Sequence, residues 1–451
     1  MCHRRPASAV TLAALSTLAL LVSACGDDTP PETEKVACDP TRRPIVMAHG
    51  FLASGDTYAA FARRFEANGY CQSHLVAFDW NTLAFDRESA VTELDQAIDA
   101  TLAATGADQV DLVGHSAGGG LGYAYLNDPA RAAKVAAYAH IASNPNPLQA
   151  ESPGPAGPAE APVATLNLTS AGDLVVDGGE IPGAINIVLP TEDHYEAATS
   201  ARAFADVYAF FNGGERPKVT TLPESSSNER VISGRALTLG ENKPVPGFIV
   251  SLYEVDPDTG LRRSETPVAT STVTETGRYG PFTVKADTHY ELHLEDPTGV
   301  GRDVHYFREP FAPDTHLVYL RALPGPESLA GVLISLIPFD DRHAVLIAFS
   351  SSQGVIHGRD TLTLNGETLS TPELASAERT SIAFFAFDDG SDQQSAGLVP
   401  SFSNAIQVFL TAIDRYFPAD KGPLTLTLNG RTLTVPALPS STDGAIVATF
   451  D

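Results

Sequence analysis

The chain has 451 residues, more than one hydrophobic core usually serves, so two to four domains are expected. With 43% hydrophobic and 19% charged residues it reads as a folding sequence, not a disordered one. Its net charge of -26 repels phosphate backbones and anionic lipid, which argues against nucleic acid as a partner.

The first element is an export signal. "MCHRRPASAVTLAALSTLALLVSAC" starts basic at His3, Arg4 and Arg5, runs apolar from Ala9 to Val22, and ends in small residues before a cysteine. The apolar run is short for a membrane span. Val22-Ser23-Ala24-Cys25 resembles a bacterial lipobox. That resemblance implies a signal peptide over 1–24, lipidation of Cys25, and attachment to a membrane facing the periplasm or the exterior; ordinary secretory cleavage nearby is the alternative. Residues 25–43 are acidic and proline-bearing and read as a tether. Cys38 and Cys71 remain, and in an oxidising compartment they are expected to pair.

Residues 44–215 alternate strands with helices. "IVMAHGF", "HLVAFDW", "QVDLVGHS", "KVAAYAHIAS", "VATLNLTS" and "AINIVLP" are strands. "DTYAAFARRFEANGY", "ESAVTELDQAIDATLAATG" and "ATSARAFADVYAFFNG" have helical spacing. The fold class is therefore α/β, a mostly parallel sheet with helices on both faces. After Pro217 the pattern changes to apolar–polar alternation with frequent turn residues, which predicts antiparallel β structure. Residues 228–323 resemble the transthyretin-like and carboxypeptidase-regulatory-like β-sandwiches around their "TGRYG" turn. Residues 326–451 are expected to form a second β-rich domain. There "TLTLNGETL" is echoed by "TLTLNGRTL", each a hairpin on a type I′ Asn-Gly turn. "SFSNAIQVFLTAIDRYF", between them, reads as one amphipathic helix.

The chemistry concentrates in "DLVGHSAGGG", Asp111 to Gly120. A serine hydroxyl is a weak nucleophile unless a base lies within reach and a third group orients that base. Gly-x-Ser-x-Gly after a strand places Ser116 on a sharp turn, with Gly114 and Gly118 giving the backbone room. Ala117 would aim its N–H at an oxyanion. This elbow requires an acid and then a histidine downstream. Asp173 and His194 each follow a strand in that order, ahead of the rival acids Asp177 and Glu180. His140 lies inside an apolar strand and reads as structural, as do His49 and His115. The loop "AHGFLASG" offers the Phe51 N–H as second oxyanion donor. Leu52, Leu174 and Val175 suit an acyl chain and are the candidate substrate-binding residues. His289, Glu291, His293 and Glu295 alternate on one strand; a solvated strand face is preferred there over a metal site, and no metal is expected.

The stretches "IVMAHGF", "QVDLVGHSAGG", "AGDLVV" and "GAINIVLPTEDH" together resemble the small bacterial α/β-hydrolase lipases, the minimal lidless kind secreted by bacilli. The resemblance implies Ser116 as nucleophile, Asp173 as orienting acid, His194 as base, Phe51 and Ala117 as oxyanion donors, and ester hydrolysis without a cofactor. Two departures stand out. Ala117 occupies a position where many such lipases carry methionine, and the insert Asn144 to Pro162 could overhang the site. The expected function is a serine carboxylesterase or lipase acting on a lipid or other acyl ester. Polyester depolymerisation is the neighbouring chemistry, and a non-catalytic surface binding protein on a hydrolase scaffold is the alternative of another class. No motif points to a protein partner.

Overall fold

The computed structural model describes residues 36–145, 154–222, 227–406 and 408–451. The expected signal segment, Cys25 and the start of the expected tether lie outside the described residues, as does the middle of the insert, 146–153. Among the described residues no helix is long and apolar enough to cross a membrane.

The first segment builds one sheet from β1 (Ile45–Ala48), β2 (Leu75–Phe78), β3 (Val110–His115), β4 (Val135–Ile141), β5 (Ala164–Ser170) and β6 (Ile185–Leu189). All pairings are parallel, in the order β2-β1-β3-β4-β5-β6. The interior strands β1 and β3 are buried at every position, which is why they read as unbroken apolar runs. The helices are α1 (Ala59–Ala67), α2 (Arg87–Thr105), α3 (Ala117–Leu126), a short α4 (Pro129–Ala132) and α5 (Ala201–Phe211). Phe61 and Phe65 of α1 and Phe204 and Tyr208 of α5 cover one face of the sheet, against Met47 and Val113. Leu94 and Ile98 of α2 and Leu121 and Tyr125 of α3 cover the other, against Val46 and Leu112. Helix α2 starts where the Asp86 carboxylate accepts the Ser89 amide and stops at Gly106, whose φ is +72°.

A disulfide joins Cys38 to Cys71 and ties the chain just before β1 to the end of α1. It closes a loop with a sequence separation of 33, which in the chain-entropy model contributes about 3 kcal/mol. A Cys38→Ser/Cys71→Ser variant is expected to lose that amount in urea unfolding; an unchanged midpoint would show that the link does not constrain the unfolded chain.

The β-rich remainder begins with β7 (Glu229–Thr238), β8 (Ile249–Glu254), β9 (Ala269–Thr272), β10 (Arg278–Lys285), β11 (Tyr290–Glu295), β12 (Val304–Arg308) and β13 (Thr315–Ala322). It continues through α6 (Leu329–Ile334), β14 (Val345–Ser350), β15 (Leu362–Leu364), β16 (Glu367–Thr368), β17 (Ala383–Phe387), α7 (Pro400–Ala405), β18 (Leu410–Asp414), β19 (Leu424–Leu428), β20 (Arg431–Val435), α8 (Ser440–Asp443) and β21 (Ala445–Phe450). Strands β10-β7-β13 form a small sheet that packs on a second, eight-stranded one. That larger sheet runs β18-β17-β14-β21-β12-β11-β8-β9. Its centre is the parallel pair β12–β21, so the segments on either side of residues 323–326 share one sheet.

The two Asn-Gly hairpins form as expected. Asn365, Gly366, Asn429 and Gly430 all have positive φ. The hairpins also pair with each other through β15 and β19. Each asparagine side chain accepts an amide from the other hairpin: Thr425 N–H to Asn365 and Thr361 N–H to Asn429, at 2.8 and 2.9 Å. The sequence echo is thus a local two-fold of hairpins.

One predicted helix is not there. "SFSNAIQVFLTAIDRYF" divides into α7 and strand β18. Leu410–Asp414 pairs in parallel with Ala383–Phe387 and is buried at Thr411, Ala412 and Ile413, so the sheet position overrides the helical spacing.

Candidate active site

The site is built at the carboxyl ends of the parallel strands, where an open α/β sheet places its ligands. β3 runs into Ser116, and α3 starts at the next residue. Ser116 has φ +53° and ψ -119°, a strained conformation for a residue with a side chain. Its amide donates to Ile141 O at 3.0 Å and its carbonyl accepts the Gly119 amide at 2.9 Å, so the turn is held from both sides. The glycines are there for space. A Cβ on Gly118 would lie 2.2 Å from Ala48 O, and one on Gly114 would lie 2.4 Å from Gly118 O.

The end of β5 delivers Asp173 and the end of β6 delivers His194. Asp173 Oδ2 lies 2.7 Å from His194 Nδ1, and both side chains are buried. The other oxygen, Oδ1, accepts the Val175 and Val176 amides at 2.8 and 3.0 Å. Burial alone would raise the carboxyl's pKa. The His194 hydrogen bond and charge, with the two amides, outweigh it and hold Asp173 below its ordinary range, hence ionised. With Nδ1–H given to Asp173, His194 keeps Nε2 as its basic atom. Nε2 is buried and has no hydrogen-bond partner among the described residues.

A cleft of about 380 Å³ opens over the elbow. Its walls include Ser116, Ala117 and Phe51, with Trp80, Phe85, Leu121 and Val176. Of the residues expected to hold an acyl chain, none lines it. Leu52 turns away with φ +59° and packs on the β-sandwich core. Leu174 is exposed to solvent, and Val175 packs beside Tyr195, Ile382 and Phe409. The apolar wall instead comes from Trp80 at the end of β2, Phe85 before α2, and Val176. Phe85 is 77% exposed with φ +53°, at the mouth. The lone tryptophan after a strand was the available sequence signal; Phe85 had none. Asn144, which begins the insert, and Ser143 before it also touch the cleft. The described end of the insert instead folds onto the α2–α3 face, with Ala156 fully buried and Tyr123 donating to Gly154 O.

His49, His115 and His140 are engaged in hydrogen bonds or ring packing. His49 Nδ1 faces Gly50 O at 2.8 Å, and its Nε2 accepts from Trp80 N and from Asn242 Nδ2. His115 Nε2 donates to the backbone carbonyl of His194 at 2.8 Å. Burial first, then the neighbouring His194, push its pKa down to about 3, so it places no charge beside the base. His140 is packed between Tyr123 and Tyr138.

Sequence reading missed how closely the β-rich part approaches this site. Asn242, in the turn after β7, donates to Ala53 O and Trp80 O and so pins the loop that carries Phe51. Arg321 pairs with Asp56 at 2.7 Å and Arg235 with Asp79, below the same loop. The strand face with His289, Glu291, His293 and Glu295 needs a correction. It is not a solvated face: Glu291 is buried, accepting a fork from Arg262 at 2.6 and 2.7 Å and His305 Nδ1 at 2.6 Å. Among the described residues no group of three or more His, Cys, Asp or Glu could hold a metal.

Comparison with known proteins agrees with this architecture. Residues 43–160 match the alpha/beta hydrolase fold family, residues 228–323 match the lipase C-terminal domain, and residues 348–451 match a further C-terminal domain model. Among solved structures, a mature lipase of Bacillus licheniformis is 16% identical, covering 40% of this chain and 96% of its own, with a TM-score of 0.30. An esterase from a Rhodococcus species is 16% identical, covering 40% and 94%, with a TM-score of 0.31. No curated protein matches the sequence. Residues 43–160 are thus similar to the alpha/beta hydrolase fold family, and residues 228–323 to a lipase C-terminal domain.

Proposed function

We propose that the α/β-hydrolase domain of this chain is a serine carboxylic-ester hydrolase that works through an acyl-enzyme. The observation that carries this reading is the buried 2.7 Å contact between Asp173 and His194, in a segment whose strand β3 runs into a serine held on a strained elbow at a cleft. In this mechanism Ser116 Oγ attacks the ester carbonyl and His194 Nε2 takes its proton. Asp173 stabilises the imidazolium and fixes its tautomer. The N–H groups of Ala117 and Phe51 hold the oxyanion. His194 then returns the proton to the leaving alcohol, and water releases the acid by the same steps. Besides the ester and water, every step uses groups of the chain, so the mechanism calls on no cofactor.

The cleft walls at Trp80, Phe85, Leu121 and Val176 favour an apolar acyl group over a charged one. The export segment and Cys25 support a lipoprotein anchored outside the cytoplasm. Polyester cleavage is the same chemistry on an insoluble substrate and would use the same residues. Hydrolysis of a p-nitrophenyl ester series from acetyl to palmitoyl tests the assignment. Turnover is expected, with an optimum that separates esterase from lipase. A chain that cleaves no member of the series would be a binding protein on a hydrolase scaffold or specific for a polymer.

A further inference from the structure

The catalytic histidine is held by residues more than 150 positions downstream. Asp193, directly before His194, is 1% exposed and fully engaged. Its Oδ1 accepts the Tyr195 and Glu196 amides at 2.8 and 2.9 Å. Its Oδ2 accepts from Gly354 N at 3.0 Å and from Arg359 Nη2 at 2.8 Å. The same guanidinium reaches Glu196 through Nη1 at 2.7 Å and Asp360 through Nε at 2.8 Å. One arginine between β14 and β15 thus grips both sides of the loop that carries the base.

A second contact falls on the imidazole itself. The Phe409 ring stacks on the His194 ring at 5.5 Å between centroids and 21° between planes. The His115 ring packs against the same imidazole at 4.9 Å. Phe409 has φ +70°, which an aromatic residue avoids without compensation. Three backbone hydrogen bonds supply it: Phe409 N–H to Arg379 O, and Ile382 and Ala383 N–H to Phe409 O. The strained segment delivers a ring to the base, and the surrounding cluster includes Phe51 of the oxyanion loop.

We propose that Arg359 and Phe409 are positioning residues of the His194 base, so that the C-terminal β segment completes the catalytic centre. This rests on the serine-hydrolase reading above. Arg359 fixes the loop through Asp193 and Glu196; Phe409 fixes the plane of the imidazole. Arg359 acts through Asp193 and Glu196, and Phe409 acts through the imidazole ring. Their loss therefore lowers the rate of Ser116 activation and leaves ester binding in the cleft alone.

The test uses the full mature chain. kcat and KM on a p-nitrophenyl ester, and the rate of inactivation by a fluorophosphonate, are measured with Tm for wild type, Arg359→Ala, Phe409→Ala, Phe409→Leu and Arg431→Ala. Arg431 pairs with Glu309 in the same β segment and serves as an ion-pair control. Arg359→Ala and Phe409→Ala are expected to lose about 10- to 100-fold in kcat and in inactivation rate, the scale of a small misplacement of a catalytic group, with KM within about twofold. Phe409→Leu, which keeps the apolar volume, is expected to recover part of the loss, and Arg431→Ala to keep wild-type kcat. If Arg359→Ala does not fold, Arg359→Lys carries the test, since it loses the fork that spans Asp193 and Glu196. Variants that are folded and keep wild-type kcat, whatever their Tm, overturn the proposal. A wild type that neither hydrolyses esters nor reacts with the phosphonate overturns the hydrolase reading, and the proposal with it.

Discussion

Ser116→Ala is expected to lower kcat on p-nitrophenyl esters by about 10⁴- to 10⁶-fold while the fold is kept, on the scale of triad serine removals elsewhere. Alanine keeps the Cβ that the elbow already accommodates, so the strained turn and its hydrogen bonds to Ile141 and Gly119 persist. What disappears is the hydroxyl that the proposed mechanism bonds to the acyl carbon. Residual turnover would come from the oxyanion donors acting on water. A loss smaller than about 100-fold would move the nucleophile to another hydroxyl at the cleft, Ser143 or Thr82.

Asp173→Asn is expected to cost about 10⁴-fold in kcat with little change in KM. The carboxylate accepts from His194 Nδ1 and thereby leaves Nε2 free to act as the base. An asparagine can turn its own N–H₂ toward the ring and force the opposite tautomer. It also removes the negative charge that the imidazolium needs at a buried contact. The rival acids make the control. Asp177 and Glu180 are exposed, so Asp177→Asn and Glu180→Gln are expected to keep activity within about twofold. Equal losses at Asp173 and Asp177 would mean that this loop acts through its net charge, not through one hydrogen bond.

The hydrolase segment was legible because its signals are local. Parallel strands buried on both faces appear as apolar runs, and the elbow glycines are demanded by contacts as close as 2.2 Å to backbone. Asp173 and His194 could be named because each follows a strand in the sheet that carries Ser116. The lining of the cleft was not legible, since it depends on loop direction: Leu52, at φ +59°, points to the β-sandwich core, and Val176, three residues after Asp173, faces the cleft. The β-rich half was readable as hairpins and turns but not as a sheet. The β12–β21 pair joins residues 304–308 to 445–449, and a pairing that distant leaves no trace in periodicity. The same distance hid Asn242, Arg359 and Phe409. Each looks like an ordinary turn or loop residue until the fold brings it to the site. Strand β18 was misread because "AIQVFLTAI" suits either period, and its partner β17 decides.

In the proposed mechanism Ser116 is the nucleophile and His194 activates it. The most direct measurement is to treat the mature chain with a fluorophosphonate and map the adduct by peptide mass spectrometry. A single phosphonyl adduct on Ser116, formed with loss of ester hydrolysis and strongly slowed in His194→Ala, is the result this account predicts. An adduct on another residue, or full ester turnover in a protein whose Ser116 is blocked, would contradict it.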